Sequence, residues 1–583
     1  MKERLLRPYL AAKAPLYGAA LLAIALGNIV QSLYPRVLGE FTDRLQQEAL
    51  TPVLISRSAL MLAGIALLYS SLAGSGQYLI MRLGRNFERL TRKRLFKQFT
   101  RLSEAYYAKH GVGSMLSYVL NDVKSVREAI SAGFNQTANA VILLGSAVVM
   151  MALSGLPLGL VAVCVSPLLL IPPIVVYFGP RIRERSRHAQ EELAAMTESA
   201  EEQIGGMRVT QKFAVEPMME ARFGARVDGV YGSQLKLVRL SSLFQALLPF
   251  LGSASLVVTL AAGGYHALSG GITVGMYVSL TLYVRLMINP LQQIGNVINT
   301  MQRSRASLER IQELLASRPD IEDSPQAVEL PQRADIAVRG LTYRYPGSSR
   351  PALDRVDLDI RHGRTTALIG RTGSGKTTLA KLLLRMMEPP AGAIRIGEAD
   401  IRDVTLRSLR GSIAYVPQDG FLFSTTLGDN IAFSKRDATE SEIESASRQA
   451  MIYEQARQFK EGFGTRLGER GVTLSGGQRQ RASLARGLVK EAPLLILDDS
   501  VSAVDAETES AIVSSIRRVR AGRTTLVIAH RISAIQHADE IVVLDEGRVV
   551  QRGTHEQLLR EDGWYAELAS LQKGGMDHGG QGA

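Results

Sequence analysis

The chain has a single cysteine, Cys164, so no disulfide can form within it. Cys164 lies in an apolar run, where a free cysteine packs as a small buried side chain. Fixed charges are scarce within the long hydrophobic runs. No aromatic-interleaved basic face and no recognition motif for nucleic acid is found. A nucleic-acid partner therefore loses support despite a formal net charge of +13. The N-terminus, MKERLLRPYLAAKAPLYGAALLAIALGNIV, has a basic start but not the short core of a signal peptide. Its apolar stretch continues to Tyr34, which reads as an uncleaved first membrane helix.

What is present divides in two. A chain of 583 residues is too long for one core. A hydrophobic content of 46% points to membrane segments beside a soluble part. Six stretches approach the roughly 20 apolar residues that a bilayer requires. They are Leu16–Tyr34, Ala59–Met81, Ala138–Leu153, Leu158–Phe178, Leu243–Tyr265 and Gly275–Leu291. The third and fourth, and the fifth and sixth, are joined by short turns. The second and third, and the fourth and fifth, are separated by roughly 50 to 60 residues, far above ordinary loop length. Those inserts hold good helix formers with recurring apolar positions, as in FERLTRKRLFKQFTRL and RHAQEELAAMTESAEEQI. Each reads as a pair of membrane helices extended out of the bilayer and joined by a short crosspiece. Residues 81–130 hold 11 Lys and Arg and residues 181–240 hold 10, whereas the opposite loops offer little beyond Arg44 and Arg57. The positive-inside rule makes the inserts cytoplasmic. Gln31, Gln77, Gln245, Arg285 and Asn289 are polar positions within spans. They are candidates either for a transport pathway or for helix–helix hydrogen bonds.

After a Pro- and acid-containing stretch, Ser317–Gln332, which reads as a linker, the pattern changes from about Asp335 to short apolar strands alternating with helices, that of an α/β domain. In TTALIGRTGSGKTTLAKLLLRMM, the spacing Gly370-x-x-x-x-Gly375-Lys376-Thr377 fits the phosphate loop, with a strand before it and a helix after it. Gly370, Arg371, Thr372, Gly373, Ser374 and Gly375 would wrap backbone N–H groups around phosphates, with Thr378 in the helix that follows. Lys376 supplies positive charge, and Thr377 a hydroxyl for magnesium. Downstream, LLILDDS reads as a buried strand ending in two acids. Asp498 fits the acid that helps hold Mg2+ opposite such a loop.

Between these motifs stands LSGGQRQR, Leu474–Arg481. With it the chain resembles the ATP-binding cassette (ABC) exporters, in which six membrane helices are fused ahead of one nucleotide-binding domain. The resemblance implies an all-α six-helix transmembrane domain with long cytoplasmic helical extensions, followed by an α/β P-loop nucleotide-binding domain. The expected boundaries are a membrane domain over 1–316, a linker over 317–334, a cassette over 335–572 and a flexible tail over 573–583. It implies ATP and Mg2+ as ligands, with Tyr345 stacking on adenine and Tyr343 packing inward. Gln418 matches the glutamine that touches magnesium, and His530 the switch histidine at the γ-phosphate. Leu474, Ser475, Gly476, Gly477 and Gln478 match the signature that faces ATP held by a second subunit. Gly468–Gly471 matches the segment linking that face to the cytoplasmic crosspieces, and Ser502–Asp505 the loop that crosses to the partner. Gly111–Val123 and Gly205–Phe213 resemble the two coupling helices.

One residue departs from the family pattern. The position after the magnesium aspartate is usually glutamate, which polarises the attacking water. Here it is Asp499, one methylene shorter. A general base must come within about 2.6 to 3.2 Å of its proton. Weak hydrolysis is therefore expected at this chain's own phosphate loop, while its signature is intact. That asymmetry resembles the degenerate-site half of a bacterial heterodimeric multidrug exporter, placed in the cell membrane among lipids and moving an amphipathic small molecule, drug-like cation, neutral compound or lipid. The alternatives are a homodimeric lipid or drug flippase and an ATP-gated regulatory membrane protein with incidental hydrolysis.

Overall fold

The computed structural model describes residues 5–47, 51–330, 335–468 and 474–578. Its contacts divide the chain into two compact units. One holds the chain up to Thr100 together with Gly111–Ser317; the other holds Arg101–His110 together with the chain from Arg318 onward.

The first unit is helical. Its elements are α1 (Leu6–Gln47), α2 (Pro52–Phe99), then, beyond the excluded α3 (Glu104–His110), α4 (Val112–Leu153), α5 (Leu158–Val165), α6 (Leu168–Gly205), α7 (Met207–Phe213), α8 (Glu216–Leu268) and α9 (Val274–Ala316). Five of these helices are long and apolar enough to cross a membrane, and the bent pair α5–α6 makes a sixth span. The 49° bend falls at Ser166–Pro167. Proline there has no N–H for the helix ladder and its ring crowds the preceding turn. At 48 residues α2 is about 72 Å long, more than twice the hydrocarbon core, so half of it stands outside the bilayer. In that outer part the buried Glu88 pairs with Arg85, Arg92 and Arg127 at 3.1, 2.8 and 3.3 Å, tying α2 to α4.

The first crosspiece is not where the sequence reading put it. Gly111 takes φ +71° and breaks the chain, and from Val112 onward the residues already belong to α4. The short element is α3, just before that glycine, and it belongs with the cassette. The second crosspiece, α7, is a separate short helix within Gly205–Phe213; it ends at Ala214, which is left-handed with φ +50°.

Helices α1 and α9 meet almost backbone to backbone. A Cβ on Gly275 would lie 2.1 Å from the Gly39 carbonyl oxygen. Around this contact, Asp43 accepts from Thr273 Oγ1 and from the Gly275 N–H, each at 2.7 Å, Ser279 donates to the Pro35 carbonyl at 2.9 Å and Tyr283 to that of Ser32 at 2.9 Å. Small residues permitting close approach, with hydroxyl bridges beside them, are how helices associate where lipid removes the hydrophobic drive.

The second unit is built on two sheets. Strands β1 (Ile336–Tyr343), β2 (Leu353–Ile360), β4 (Ile394–Ile396) and β5 (Ala399–Asp400) form an antiparallel sheet in the order β2-β1-β4-β5. Strands β3 (Thr365–Gly370), β6 (Ile413–Val416), β7 (Leu494–Asp498), β8 (Thr524–Ile528), β9 (Glu540–Asp545) and β10 (Arg548–Gly553) form the other, in the order β10-β9-β3-β8-β7-β6. All its pairs are parallel except β9–β10. All five residues of β7 are buried, as expected of a strand covered on both faces. Because these strands are parallel, the carboxyl ends of β3, β6, β7 and β8 open on one edge, where ligands of such sheets bind.

Chain read as linker is pinned to the cassette. Arg385, 1% exposed, donates to the Glu322 carbonyl, Asp323 accepts from the Leu406 N–H at 2.7 Å and Val328 bridges to Val404. At the other end, the helix Trp564–His578 continues through the first part of the segment read as tail.

Gly275→Ala is expected to force α1 and α9 apart and to destabilise the chain by about 1–3 kcal/mol, the range for overpacking. Gly64→Ala, whose added Cβ meets nothing within 4 Å, serves as the clash-free comparison and should be unchanged or slightly more stable. Unfolding temperatures of the two detergent-solubilised variants check this.

Candidate nucleotide site and membrane cavity

The loop after β3 is shaped by positions that glycine alone fills without strain. Gly373 and Gly375 have φ of +84° and +99°, and a Cβ on Gly375 would meet the Ala352 carbonyl at 2.5 Å. Its lip, Arg371–Gly373, is exposed, while Ser374, Gly375 and Lys376 are buried. Lys376 opens helix α10 (Lys376–Leu383) and turns its ammonium back into the loop. It donates to the carbonyls of Gly370 and Arg371, each at 2.8 Å, and to Ser374 Oγ at 3.3 Å. Among the described residues no carboxylate lies within ion-pair distance of it. Burial holds its pKa below the ordinary lysine range, against the opposing pull of Asp498 and Asp499. A buried cation ringed by carbonyls at the start of a helix, in a cradle that a Cβ would fill, fits a polyphosphate.

Across the edge, Asp498 is 1% exposed. Its Oδ1 accepts from Thr377 Oγ1 at 3.1 Å and its Oδ2 from the Tyr415 hydroxyl at 3.0 Å. Burial raises its pKa above the usual carboxylate range, and those two hydrogen bonds oppose the shift. Thr377, Asp498 and the Gln418 amide supply hard oxygens, the donor set that suits Mg2+. Gln418 itself donates to Asp499 Oδ2 at 3.3 Å. Tyr345 reaches Thr378 Oγ1 at 3.1 Å, and Tyr343 meets it edge to face beneath. His530 follows β8, and burial, with the charge of Lys376 second, lowers its pKa, so the ring is neutral at pH 7.

Ser475 caps helix α11 (Gly476–Leu488): its Oγ accepts from the Gln478 N–H at 3.2 Å, and Gln478 Oε1 accepts from the Ser475 N–H at 2.9 Å. Leu474 is buried beneath, and Gly477 leaves room for the Ala503 carbonyl, 3.0 Å from where its Cβ would stand. Of the segment Gly468–Gly471, only Gly468 falls within the described residues.

The family pattern described as "ABC transporter transmembrane region" matches residues 17–291, and that described as "ABC transporter" matches residues 353–502. A probable multidrug resistance ABC transporter ATP-binding/permease protein of Bacillus subtilis is 34% identical over 567 residues, 96% of this chain and 95% of that protein. The chain belongs to the ABC transporters. An ATP-dependent lipid A-core flippase of Thiobacillus denitrificans is 36% identical over 524 residues, 88% of this chain and 87% of that one. A bacterial Atm1-family ABC exporter solved with ATP bound has a TM-score of 0.81 and 27% identity, covering 96% of this chain and 99% of that one. This ABC half-transporter is thus a multi-pass membrane protein of the exporter type with a cytoplasmic, ATP-hydrolysing domain.

Several residues that hold the site together were not legible from motifs. Tyr415 stands three residues before Gln418 and has no signature of its own. Gln480, the second glutamine of LSGGQRQR, donates to the Asp499 carbonyl at 2.9 Å and accepts from the Ala503 N–H at 2.9 Å. Glu509, 2% exposed and on helix α12 (Ala506–Val519), accepts from Arg531 and Ser533 at 2.5 Å each. Gln572, on helix α13 (Trp564–His578), brackets the switch segment by donating to the His530 carbonyl at 3.1 Å and accepting from the Ile532 N–H at 2.9 Å. The two hydrogen bonds therefore fix the chain on both sides of Arg531, directly after His530.

In the membrane unit, three of the five polar candidates come together. Gln31, Arg285 and Asn289 line one cavity of about 580 Å³ with Asn139 and Gln293. Gln77 and Gln245 are exposed and take no part in its lining.

Tyr415→Phe is expected to weaken binding of MgATP two- to tenfold, on the scale of one typical intramolecular hydrogen bond, about 0.5–1.5 kcal/mol. Binding of ATP in the presence of EDTA should be unchanged. Calorimetric titration under the two conditions checks this.

Proposed function

We propose that this ABC half-transporter drives export of amphipathic small molecules as one half of a heterodimer, and that its own phosphate loop carries the weaker of two ATP sites. The observation that supports this most is the setting of Asp499. Its backbone is left-handed, with φ +48°, a conformation aspartate tolerates better than most residues. Its N–H donates to the Ile528 carbonyl at 2.8 Å, and its carbonyl accepts from Gln480 at 2.9 Å and Ser502 at 3.1 Å. Held at both ends, the backbone cannot advance to make up for the missing methylene.

In this reading the loop N–H groups and Lys376 bind the phosphates, Tyr345 covers the adenine and the neutral His530 hydrogen-bonds the γ-phosphate. Thr377, Gln418 and Asp498 would hold Mg2+, which neutralises charge between the β- and γ-phosphate oxygens when bound. Ser475, Gly476 and Gly477, at the positive end of α11, would meet the γ-phosphate on the partner's loop, where a glutamate completes the competent site. Two bound nucleotides stabilise the closed pair of cassettes, and only their preference for that state can move the membrane helices.

The purified chain alone should hydrolyse ATP slowly, and Asp499→Glu should raise turnover at least tenfold, equivalent to about 1.4 kcal/mol in the barrier. Vigorous transport-coupled hydrolysis by the unmodified chain without a second subunit would overturn the heterodimer.

A further inference from the structure

The membrane cavity contains a cation and no acid. Its walls come from α1, α2, α4 and α9, and among the residues that line it Arg285 alone is ionisable other than by a tyrosine hydroxyl. Arg285 makes no ion pair among the described residues, although it sits in the middle of a membrane span. A guanidinium at that depth is costly, and such residues mark a pathway or pair with something. Here the neighbouring groups are amides. Asn289 and Gln293 follow Arg285 at four-residue intervals, so the three share one stripe of α9. Gln31 and Asn139 face them from α1 and α4. Polar surface outweighs apolar in the lining, with Leu143, Leu282 and Leu286 giving a smaller apolar part, and the volume of about 580 Å³ lies in the range that holds a small-molecule ligand.

We infer that this cavity binds amphiphiles with an anionic head, a carboxylate, phosphate or sulfonate, and that Arg285 selects the charge. The inference rests on the exporter reading for its purpose but not for its chemistry. A planar guanidinium offers two parallel N–H donors to such a head, and the amides supply the remaining hydrogen bonds. The cavity takes the head, and Leu143, Leu282 and Leu286 meet the first carbons of the tail. A drug-like cation, one of the classes expected from the sequence, would have its charge placed beside Arg285 with no carboxylate to offset it, so the cavity discriminates against it by repulsion as well as by lack of a partner. The α1–α9 contact at Gly39 and Gly275 sets the distance between two of the walls, which makes the cavity a property of the packed unit.

The test uses the full chain in phosphatidylcholine nanodiscs, without ATP and without a second subunit. Two fluorescent probes differ only in the head: a 12-carbon carboxylate and the matching trimethylammonium. The carboxylate should bind at least tenfold more tightly. Arg285→Ala should lose at least tenfold in carboxylate affinity, Arg285→Lys should keep part of it, and Arg285→Glu should reverse the preference toward the ammonium. That reversal is a gain which an unfolded variant cannot produce. Fluorescent phosphatidic acid in the same discs distinguishes a lipid headgroup from a free acid: whichever acid depends more steeply on Arg285 names the source. Equal binding of both 12-carbon probes, or carboxylate affinity unchanged in Arg285→Ala, would overturn the inference. Because binding is read without turnover, charge selection can stand where ATP-driven export fails, and export can stand where charge selection fails.

Discussion

Lys376 is 5% exposed, and its charge is met by two carbonyls and a hydroxyl instead of a carboxylate. Burying an ammonium without an opposite charge is among the more expensive things a fold can do. The surroundings are what make it tolerable. Left-handed Gly373 and Gly375 turn the loop so that its carbonyls face the amine from one side, and the parallel sheet places Asp498 and Asp499 across the edge, near enough to pull on its proton affinity. An arrangement that keeps a positive charge at a helix start while holding the acids at a distance favours a polyanion in the gap. The glycine positions in the loop and the placement of the two acids at the end of β7 both serve that one electrostatic demand.

The second acid is set by a different constraint, the rigidity of its backbone. Gln480 holds the Asp499 carbonyl with one end of its amide and the Ala503 N–H with the other. The acid, the loop Ser502–Asp505 and the first turns of α11 therefore move together. Glu509 then joins the start of α12 to the residues that follow His530, and Gln572 joins that segment to α13. A network of buried side-chain hydrogen bonds of this kind is satisfied in one geometry and loses several bonds in any other. A side chain one carbon short cannot borrow reach from such a backbone, and the difference between aspartate and glutamate, minor on a surface, becomes a difference in chemistry.

How much of this the sequence revealed depended on the range over which each feature is encoded. The phosphate loop, the strand before it and the helix from Lys376 are local, and spacing alone was enough to read them. The six apolar spans were legible from length, though not the bend at Pro167, which the sequence reading folded into one continuous span. The first crosspiece was placed seven residues too late, at Gly111 instead of Glu104, because a helical pattern on both sides of a glycine does not say which side is the short helix. Gln572 lay beyond reach: it stands 42 positions from the backbone it holds, on an ordinary-looking helix. Nor could spacing show that Gln31 and Arg285, 254 residues apart, share a cavity while Gln77 and Gln245 do not.

The short helix α3 shows how a nucleotide site can be read at a distance. Lys381, in the last turn of α10, pairs with Glu104 at 2.7 Å. Lys376 lies five residues earlier on the same helix, about 7.5 Å along its axis. One rigid turn and a half therefore separates the phosphate-binding ammonium from the contact with α3. The pair itself is weak, since Glu104 is 47% exposed and exposed ion pairs are worth about 0–1 kcal/mol. Weakness suits the position. The contact links α3 to the helix of the phosphate loop at little energetic cost. The free energy that favours one state must then come from the phosphates, through their unequal contacts in the two states.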